Sequence, residues 1–242
     1  MYLENKINET VATLVIKPKY MWLLVIAFTM ATIASNWFDP RQIKLFGLCT
    51  GAGSIVFPLT YLIADVITEV YGYKNMRTTI YSGLIFYIIF YLYGQFVTEF
   101  ASHTFEKLTY SKFLQVNNRI IFAAIASFIV TELMNSYLVA KLKIYFQGNY
   151  IGIRFIFSTF TAYIFDELIY APIAFYGLMN LSEFTHHILE SWIFMVSIEL
   201  LLLPFFVRLA KYLKSIEGTD YDNSIDNTTQ LTENDLCSEK KQ

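Results

Sequence analysis

Six apolar stretches, each close to the length that crosses a lipid bilayer, fill most of the chain between residues 20 and 212. A helix needs about 20 mostly apolar residues to span a hydrocarbon core of roughly 30 Å, and it satisfies its own backbone hydrogen bonds there. The predicted spans are 20–36, 46–68, 79–99, 119–140, 155–179 and 188–212. We therefore predict an all-α, polytopic membrane protein, built as a compact bundle of six transmembrane helices.

The composition argues against the alternative, a soluble protein with buried helices. Hydrophobic residues make up 55% of the chain, and 22 Phe with 18 Tyr exceed what one soluble core takes up. Residues 1–16 mix charged and apolar side chains, so no signal peptide is predicted and the first span is expected to remain. Cys49 and Cys237 lie far apart and predict neither a disulfide nor a metal cluster.

Lys and Arg residues at the span ends predict the orientation, because they accumulate on the cytoplasmic side. Eleven lie on one side of the six spans and five on the other. The larger set is Lys6, Lys17, Lys19, Lys74, Arg77, Lys141, Lys143, Arg154, Arg208, Lys211 and Lys214, and the smaller set is Arg41, Lys44, Lys107, Lys112 and Arg119. Both termini are therefore predicted to be cytoplasmic.

Three regions are predicted along the chain: a cytoplasmic segment over 1–19, the membrane domain over 20–214, and a tail over 215–242. The tail holds seven acidic residues against two lysines and few apolar residues. Such a composition cannot form a core, so we expect a disordered cytoplasmic tail.

Charged residues inside the spans are the candidates for function, because a charge at the bilayer centre costs at least about 2.5 kcal/mol on insertion scales. Six residues qualify: Asp65, Glu69, Glu132, Asp166, Glu167 and Glu199. Each needs a compensating use.

Asp65 and Glu69 lie four residues apart, so a helix places both on one face, with Thr68 alongside. Two adjacent carboxylates need a partner or a proton. Three partners are open: a cationic or hydrogen-bond-donating substrate, a coupling ion, or the nearby Lys74 and Arg77. If Lys74 or Arg77 is the partner, Glu69 only forms an ion pair at the membrane interface.

The fourth span carries a polar stripe, in which Ser127, Thr131 and Asn135 share one helix face and Glu132 lies beside it. Such a stripe lines a cavity or joins helices through hydrogen bonds, and joining helices is the more common use. Glu132 is harder to explain by helix packing alone, which favours a cavity.

The fifth span combines acids, aromatic rings and a proline. Pro172 can kink the helix six residues after Asp166, and irregular helices often border binding sites in membranes. The acid pair Asp166 and Glu167 is surrounded by aromatic residues that could stack a flat ring while carboxylates bind its N–H edge. These residues are Tyr163, Phe165 and Tyr170. The combination suits a purine-like ligand.

Pro and Gly elsewhere are weaker signals. Pro58 and Pro204 could kink the second and sixth spans as Pro172 does the fifth. Gly47, Gly51 and Gly53 are interpreted as close helix packing in a small-xxx-small pattern.

Enzyme chemistry has no support in the sequence. The chain lacks G-x-x-x-x-G-K-[ST], H-E-x-x-H and G-x-S-x-G, so neither ATP hydrolysis nor a catalytic nucleophile is predicted. His103, His186 and His187 are expected in solvated outer loops without zinc spacing. We expect no metal, no cofactor and no ion-channel filter.

The block FPLTYLIADVITEVYGYKNMR over 57–77 resembles the signature of the queuosine precursor transporter family. The preceding SNWFDPRQIKLFGLCTGAGSIV fits the same pattern, and so do RIIFAAIASFIVTELMNSYLVAKLK and IRFIFSTFTAYIFDELIYAPIAFYG further along. The D-x-x-T-E-V-Y-G core over 65–72 is fairly specific, and the similarity extends over residues 20–210.

The resemblance implies an inner-membrane carrier that imports 7-deazaguanine bases for queuosine salvage in transfer RNA. The candidates are 7-cyano-7-deazaguanine, 7-aminomethyl-7-deazaguanine and queuine. The expected partners are this small molecule and membrane lipid, with no direct nucleic-acid contact and with oligomerisation left open. The implied fold is a six-helix bundle like vitamin-uptake substrate-binding subunits.

A guanine-type edge presents a ring N–H beside an amine, which one carboxylate can accept as a pair. Asp65, Glu69 or Asp166 could supply that carboxylate. The expected substrate-binding residues are Asp65, Thr68, Glu69, Glu132, Asn135, Tyr163, Asp166 and Glu167. Tyr163 and the doubled acid depart from the family pattern, and the extra acid favours an aminomethyl base over a cyano one.

Two other classes of function remain open. One is a substrate-binding membrane subunit of an ATP-driven vitamin or nucleobase uptake system, which would require ATP and partner chains. The other is a membrane scaffold, in which the intramembrane acids would be dispensable.

Overall fold

A computed structural model describes residues 18–99, 106–175, 177 and 180–217. The predictions for the N-terminal segment before residue 18, for His103, and for the tail with Cys237 lie outside the described residues. Helix dominates the part that is described. The all-α, polytopic membrane architecture is confirmed, because five of the described helices are long and apolar enough to cross a bilayer.

Six helices, one hairpin and one short 3₁₀ turn make up the described fold. They are α1 (Met21–Phe38), β1 (Gln42–Leu45), β2 (Leu48–Gly51), the 3₁₀ turn Ala52–Ile55, α2 (Phe57–Tyr71), α3 (Tyr73–Glu99), α4 (Glu106–Tyr145), α5 (Ile151–Phe175) and α6 (Leu181–Glu217). Helix α5 is not among the five, because its acids lower its apolarity. Its 25 residues still reach about 37 Å, and it packs along α4.

The two ends of the described chain meet at one end of the bundle. The backbone N–H groups of Lys19 and Tyr20 donate to the Glu217 carboxylate at 2.9–3.1 Å, and the Tyr71 hydroxyl donates to it at 2.9 Å. We call this the terminal end, and the opposite one the hairpin end. Because the two ends of the described chain lie at the same end of the bundle, they agree with an even number of membrane crossings. Assignment of the terminal end to the cytoplasm stays a prediction from the Lys and Arg distribution.

The start of the predicted second span is wrong, because residues 42–51 form an antiparallel hairpin rather than helix. Phe46 and Gly47 turn with φ of 52° and 87°, a left-handed conformation that Gly adopts freely and that interrupts a helix. Cys49 consequently lies exposed on β2 instead of inside a span. Helix α2 starts only at Phe57, and Pro58 occupies its first turn, where the missing N–H costs no hydrogen bond.

The glycines near this hairpin do allow close approach, but not between two helices. Gly51 lies directly against Asp39, and Gly53 lies directly against the Ser35 carbonyl of α1. The contact therefore fixes the hairpin and the 3₁₀ turn to the end of α1.

Helix α2 lies at the centre of the bundle and is buried almost completely around its circumference. Its apolar residues, such as Leu62 and Val66, form the main core together with Phe28, Phe155 and Phe206 from three other helices. Asp65 and Glu69 belong to this helix and have no exposed surface. The central position of α2 places the acids of the 57–77 block inside the protein.

Candidate functional site

A cleft of about 610 Å³ opens at the hairpin end, between α1, the hairpin region, α4, α5 and α6. This volume includes the open solvent at the mouth of the cleft. Its polar lining includes Ser35, Asn36, Asp39, Ser54, Ser127, Asp166, Glu167, Tyr170, His187 and Ser191. None of the described residues that line it is Lys or Arg, so the cleft offers hydrogen-bond acceptors without a balancing cation.

The acids of the cleft come from the interior of α5 and from the residue just after α1. Asp166 is 6% exposed, and its carboxylate lies 3.5 Å from the Thr131 hydroxyl. Glu167 is half-buried beside it. Asp39, just after α1, accepts a hydrogen bond from Tyr170 of α5. Burial raises the pKa of the Asp39 carboxyl, and the hydrogen bond from Tyr170 acts in the opposite direction.

The aromatic walls of the cleft differ in part from the predicted ones. Tyr170 lines the cleft as expected, together with Phe57 and Phe128. Phe165 is 44% exposed and is not part of the lining, so its predicted stacking role is not supported. Tyr163 is fully buried behind the wall. The only sequence signal for Phe57 and Phe128 was proximity to the signature block and to the Ser127 stripe.

Tyr163 packs edge-on against Tyr61, with ring centroids 5.0 Å apart at 89°. The Tyr61 hydroxyl donates to Thr131 at 3.0 Å, and the Thr131 hydroxyl also lies 2.9 Å from the Ser127 carbonyl. The polar stripe of α4 therefore faces the bundle interior. It connects the floor of the cleft to the buried tyrosines.

Asp65 lies deeper, between α4 and α5. The Asn135 amide donates to its carboxylate at 2.7 Å, and the Thr159 hydroxyl lies 3.4 Å away. Glu132 is also buried, and within the described residues neither of its carboxyl oxygens has a hydrogen-bond partner. Asp65, Glu132, Asn135 and Tyr163 are thus brought together beneath the cleft, although none of them lines it.

Glu69 and Thr68 lie nearer the terminal end, away from the cleft. Arg154 binds Glu69 with both terminal nitrogens at 2.5 and 2.9 Å, and Lys214 binds it at 2.5 Å. Lys143 donates to the Glu69 backbone carbonyl at 3.1 Å. The partners considered for Glu69 from the sequence, Lys74 and Arg77, are not the ones described here. Thr68 donates to the carbonyl of Ala64 within its own helix.

We call Glu69, Lys143, Arg154 and Lys214 the ion-pair cluster. It joins α2, α4, α5 and α6. Arg154 also donates to the carbonyls of Asn149 and Gly148, which ties the α4–α5 turn to the same point. Two cations counted as loop charges for the orientation, Arg154 and Lys214, therefore pair with one buried acid, and a third, Lys143, binds its backbone carbonyl.

The structure also changes the predicted setting of His187. It belongs to α6 rather than to a loop, is half-buried, and lines the cleft, whereas His186 is exposed. Among the described residues, no group of three His, Cys, Asp or Glu side chains could hold a metal ion.

The sequence pattern of the family described as "Putative vitamin uptake transporter" matches residues 51–209, more than half of the chain. The chain belongs to this family. It is also 21% identical over 190 residues to the "Probable queuosine precursor transporter" of Bacillus subtilis (strain 168), covering 77% of this chain and 83% of that relative. No solved structure matches the chain.

The region that matches the family includes the buried acids of the predicted site and most of the cleft lining. All eight predicted site residues lie within the matched region. The chain is a multi-pass membrane transporter that acts on a small molecule, and an inner-membrane location agrees with its bacterial relative. Transport rather than catalysis is what the family and the relative share.

Proposed function

We propose that this transporter imports 7-deazaguanine precursors of queuosine across the inner membrane, for salvage into transfer RNA. The observation that carries the proposal is the cleft at the hairpin end, whose described lining has acids at its inner wall and neither Lys nor Arg. The signature block over 57–77 and the name of the Bacillus subtilis relative support the same substrate class.

Asp166 is the carboxylate best placed to receive the base first. It is buried at the inner wall of the cleft, where its charge is little screened by water. A guanine-type edge offers two adjacent N–H donors to one carboxylate, and hydrogen bonds to charged groups contribute about 1.5–3 kcal/mol. The flat ring would lie against Phe57 and Phe128.

Glu167 and Asp39 add further acceptors at the more open part of the cleft. A base with an aminomethyl group carries an ammonium that these acids can bind, whereas a cyano group offers no donor. We therefore expect the aminomethyl base to bind more tightly than the cyano base.

The residues beneath the cleft provide the path toward the terminal end. Asp65, Glu132, Asn135 and Tyr163 form the buried polar region, and Thr68 and Glu69 follow it. From Tyr170 to Arg154 the path along α5 measures about 24 Å. The ion-pair cluster closes its far end, so release of the base requires the Glu69 ion pairs to separate while the cleft closes.

The test uses a bacterium that lacks both precursor synthesis and its own carrier, expresses this chain, and receives one limiting base at a time. Queuosine in transfer RNA is expected to return with the wild type and to fall strongly with Asp166→Asn at equal membrane abundance. No restoration with any of the three bases, despite good membrane expression, contradicts the proposal.

The family description names vitamin uptake, so a vitamin is the second candidate substrate. The resemblance to vitamin-uptake substrate-binding subunits adds the possibility of an ATP-driven system with partner chains. The chain has no phosphate-binding G-x-x-x-x-G-K-[ST] of its own, so ATP hydrolysis would come from another protein. Purified chain in liposomes discriminates the two: exchange of a labelled base without ATP or partner chains supports the carrier.

A further inference from the structure

Four buried side chains at the centre of the bundle keep polar atoms without a hydrogen-bond partner among the described residues. They are Glu132 with both carboxyl oxygens, Asn135 with its amide oxygen, Tyr163 with its hydroxyl, and Glu199 with Oε1. Each side chain is at least nine-tenths buried. Buried polar groups in native proteins are nearly always paired, so this concentration of unpaired atoms indicates that the central group binds a partner from outside the described side chains.

Glu199 is the member of this group that the proposed substrate path does not use. It lies on α6, is 4% exposed, and has Asp65, Thr159 and Tyr163 as polar neighbours. Its other titratable neighbour is Tyr61. Every one of these ionisable neighbours is acidic or phenolic.

No cation of the described chain balances this central group. Glu132 on α4 has Thr60 and Asp166 as neighbours, and Tyr163 on α5 has Tyr61 and Asp65. The titratable groups that face each other from all elements packed here are Tyr61, Asp65, Glu132, Tyr163, Asp166 and Glu199. Lys143, Arg154 and Lys214 are all engaged at Glu69 instead.

A partner of these acidic groups must bring positive charge or a hydrogen-bond donor, and the geometry limits what it can be. A metal ion requires several ligands that converge on one point. Among the described residues, no three acidic, His or Cys side chains do so. A proton requires only one oxygen, and the Tyr61 hydroxyl, which is bonded to Thr131, and the ring of Tyr163 pack together in the same buried region.

We propose that Glu199 is a proton-binding site of this transporter, and that each base enters together with a proton that Glu199 takes up from the cleft side and gives up at the terminal end. This inference rests on the proposed function, because it assigns the coupling ion of the same transport step. The carboxylate gains one proton to become a neutral acid and later loses it, so no other bond changes. The cations of the ion-pair cluster oppose proton leakage while the terminal end is closed.

The test uses the purified full chain in liposomes that contain a pH-sensitive dye. Labelled 7-cyano-7-deazaguanine, 7-aminomethyl-7-deazaguanine and queuine are each examined in exchange, with base on both sides, and in net uptake, with base outside only. The wild type is expected to exchange at least one base and to acidify the lumen when that base enters. Glu199→Gln is expected to reduce acidification at least fivefold while exchange stays within twofold.

Lys211→Gln is the control, because it removes a charge from an exposed position of the same helix outside the central group, and it is expected to leave acidification unchanged. Should Glu199→Gln fail to fold, Glu199→Asp keeps a carboxyl and is expected to shift the outside pH of half-maximal uptake by at least 0.3 unit. An unshifted profile overturns the inference.

The failures of the two proposals are distinguishable. Exchange without acidification, or uptake that follows a sodium gradient instead, overturns proton coupling but leaves base transport intact. Absence of exchange with all three bases overturns both. Loss of exchange and acidification together in a folded Glu199→Gln protein assigns Glu199 to the substrate path and overturns its role as a coupling site.

Discussion

The buried acids of this transporter fall into two regions with opposite surroundings. At the terminal end, Glu69 is enclosed by Arg154 and Lys214 and lies under Lys143. At the centre and in the cleft, Asp166, Glu132 and Glu199 have no Lys or Arg partner among the described residues. A carboxylate inside a membrane protein therefore cannot be assigned a role from its presence alone, because its partner decides whether it holds helices together or awaits a ligand.

The largest expected effect is a loss of stability when the ion-pair cluster around Glu69 is disrupted. Arg154→Met leaves Glu69 buried with only Lys214 as a side-chain partner, and loss of one member of a buried ion pair costs about 3–5 kcal/mol of stability. We expect a lower thermal unfolding temperature in detergent and less folded protein in the membrane. Arg208→Met removes an exposed arginine and serves as the control. Equal stability of the two variants would show that the cluster does not hold the terminal end.

Substitution of an acid in the cleft, which has no Lys or Arg in its described lining, should weaken base binding rather than lower stability. Asp166→Asn removes the charge but keeps the shape, and loss of charged hydrogen bonds worth about 1.5–3 kcal/mol weakens base binding about 10- to 150-fold. Equilibrium binding of the transported base to purified protein measures this. Asp222→Asn in the tail is the matched control. An unchanged dissociation constant for Asp166→Asn would remove Asp166 from the site.

A third expected effect concerns the wall of the cleft. Gly53→Ala would place a methyl group into the Ser35 carbonyl, and overpacking of this kind costs about 1–3 kcal/mol. We expect lower unfolding temperature together with weaker base binding, because α1 and the 3₁₀ turn both line the cleft. Gly152→Ala, whose added carbon would meet only Val207 at 3.7 Å and Leu203 at 4.0 Å, is expected to be tolerated. Similar behaviour of both variants contradicts the close contact at Gly53.

The smallest expected effect comes from Tyr170→Phe. It removes the hydroxyl that donates to Asp39, and a hydrogen bond of about 0.5–1.5 kcal/mol corresponds to a two- to twelvefold loss in affinity if it positions Asp39 for the base. Tyr212→Phe, at an exposed site near the terminal end, should change nothing. A loss as large as that of Asp166→Asn would indicate that Tyr170 itself contacts the base.

The sequence predicted what depends on local pattern. Apolar length was enough to predict one helix for each span, although α2 begins 11 residues after and α4 begins 13 residues before the predicted start. The four-residue spacing of Ser127, Thr131 and Asn135 correctly placed all three on a buried face. The acids expected to share a function do lie inside the bundle. These features follow from the helical period and from the cost of charge in lipid.

The sequence did not predict what depends on distant partners. Glu69 pairs with Arg154 and Lys214, which lie 85 and 145 residues away, whereas local reasoning reached only Lys74 and Arg77. The hairpin also depends on a residue that is distant in sequence, because Cys49 donates its backbone N–H to Glu190 at 2.8 Å across 141 residues. Two strands of four residues in an apolar stretch carry too little periodicity to be distinguished from helix.

The carboxylate of Glu217 ties the residues just before α1 to the end of α6. The same carboxylate holds Tyr71 at the end of α2. The corresponding contact between α5 and α2 is the ion pair of Arg154 with Glu69, which the proposed release of the base requires to separate. We expect a cross-link from the start of α1 to the end of α6 to leave uptake intact. A cross-link from α2 to α5 is expected to stop uptake, because α5 then cannot move relative to the other helices.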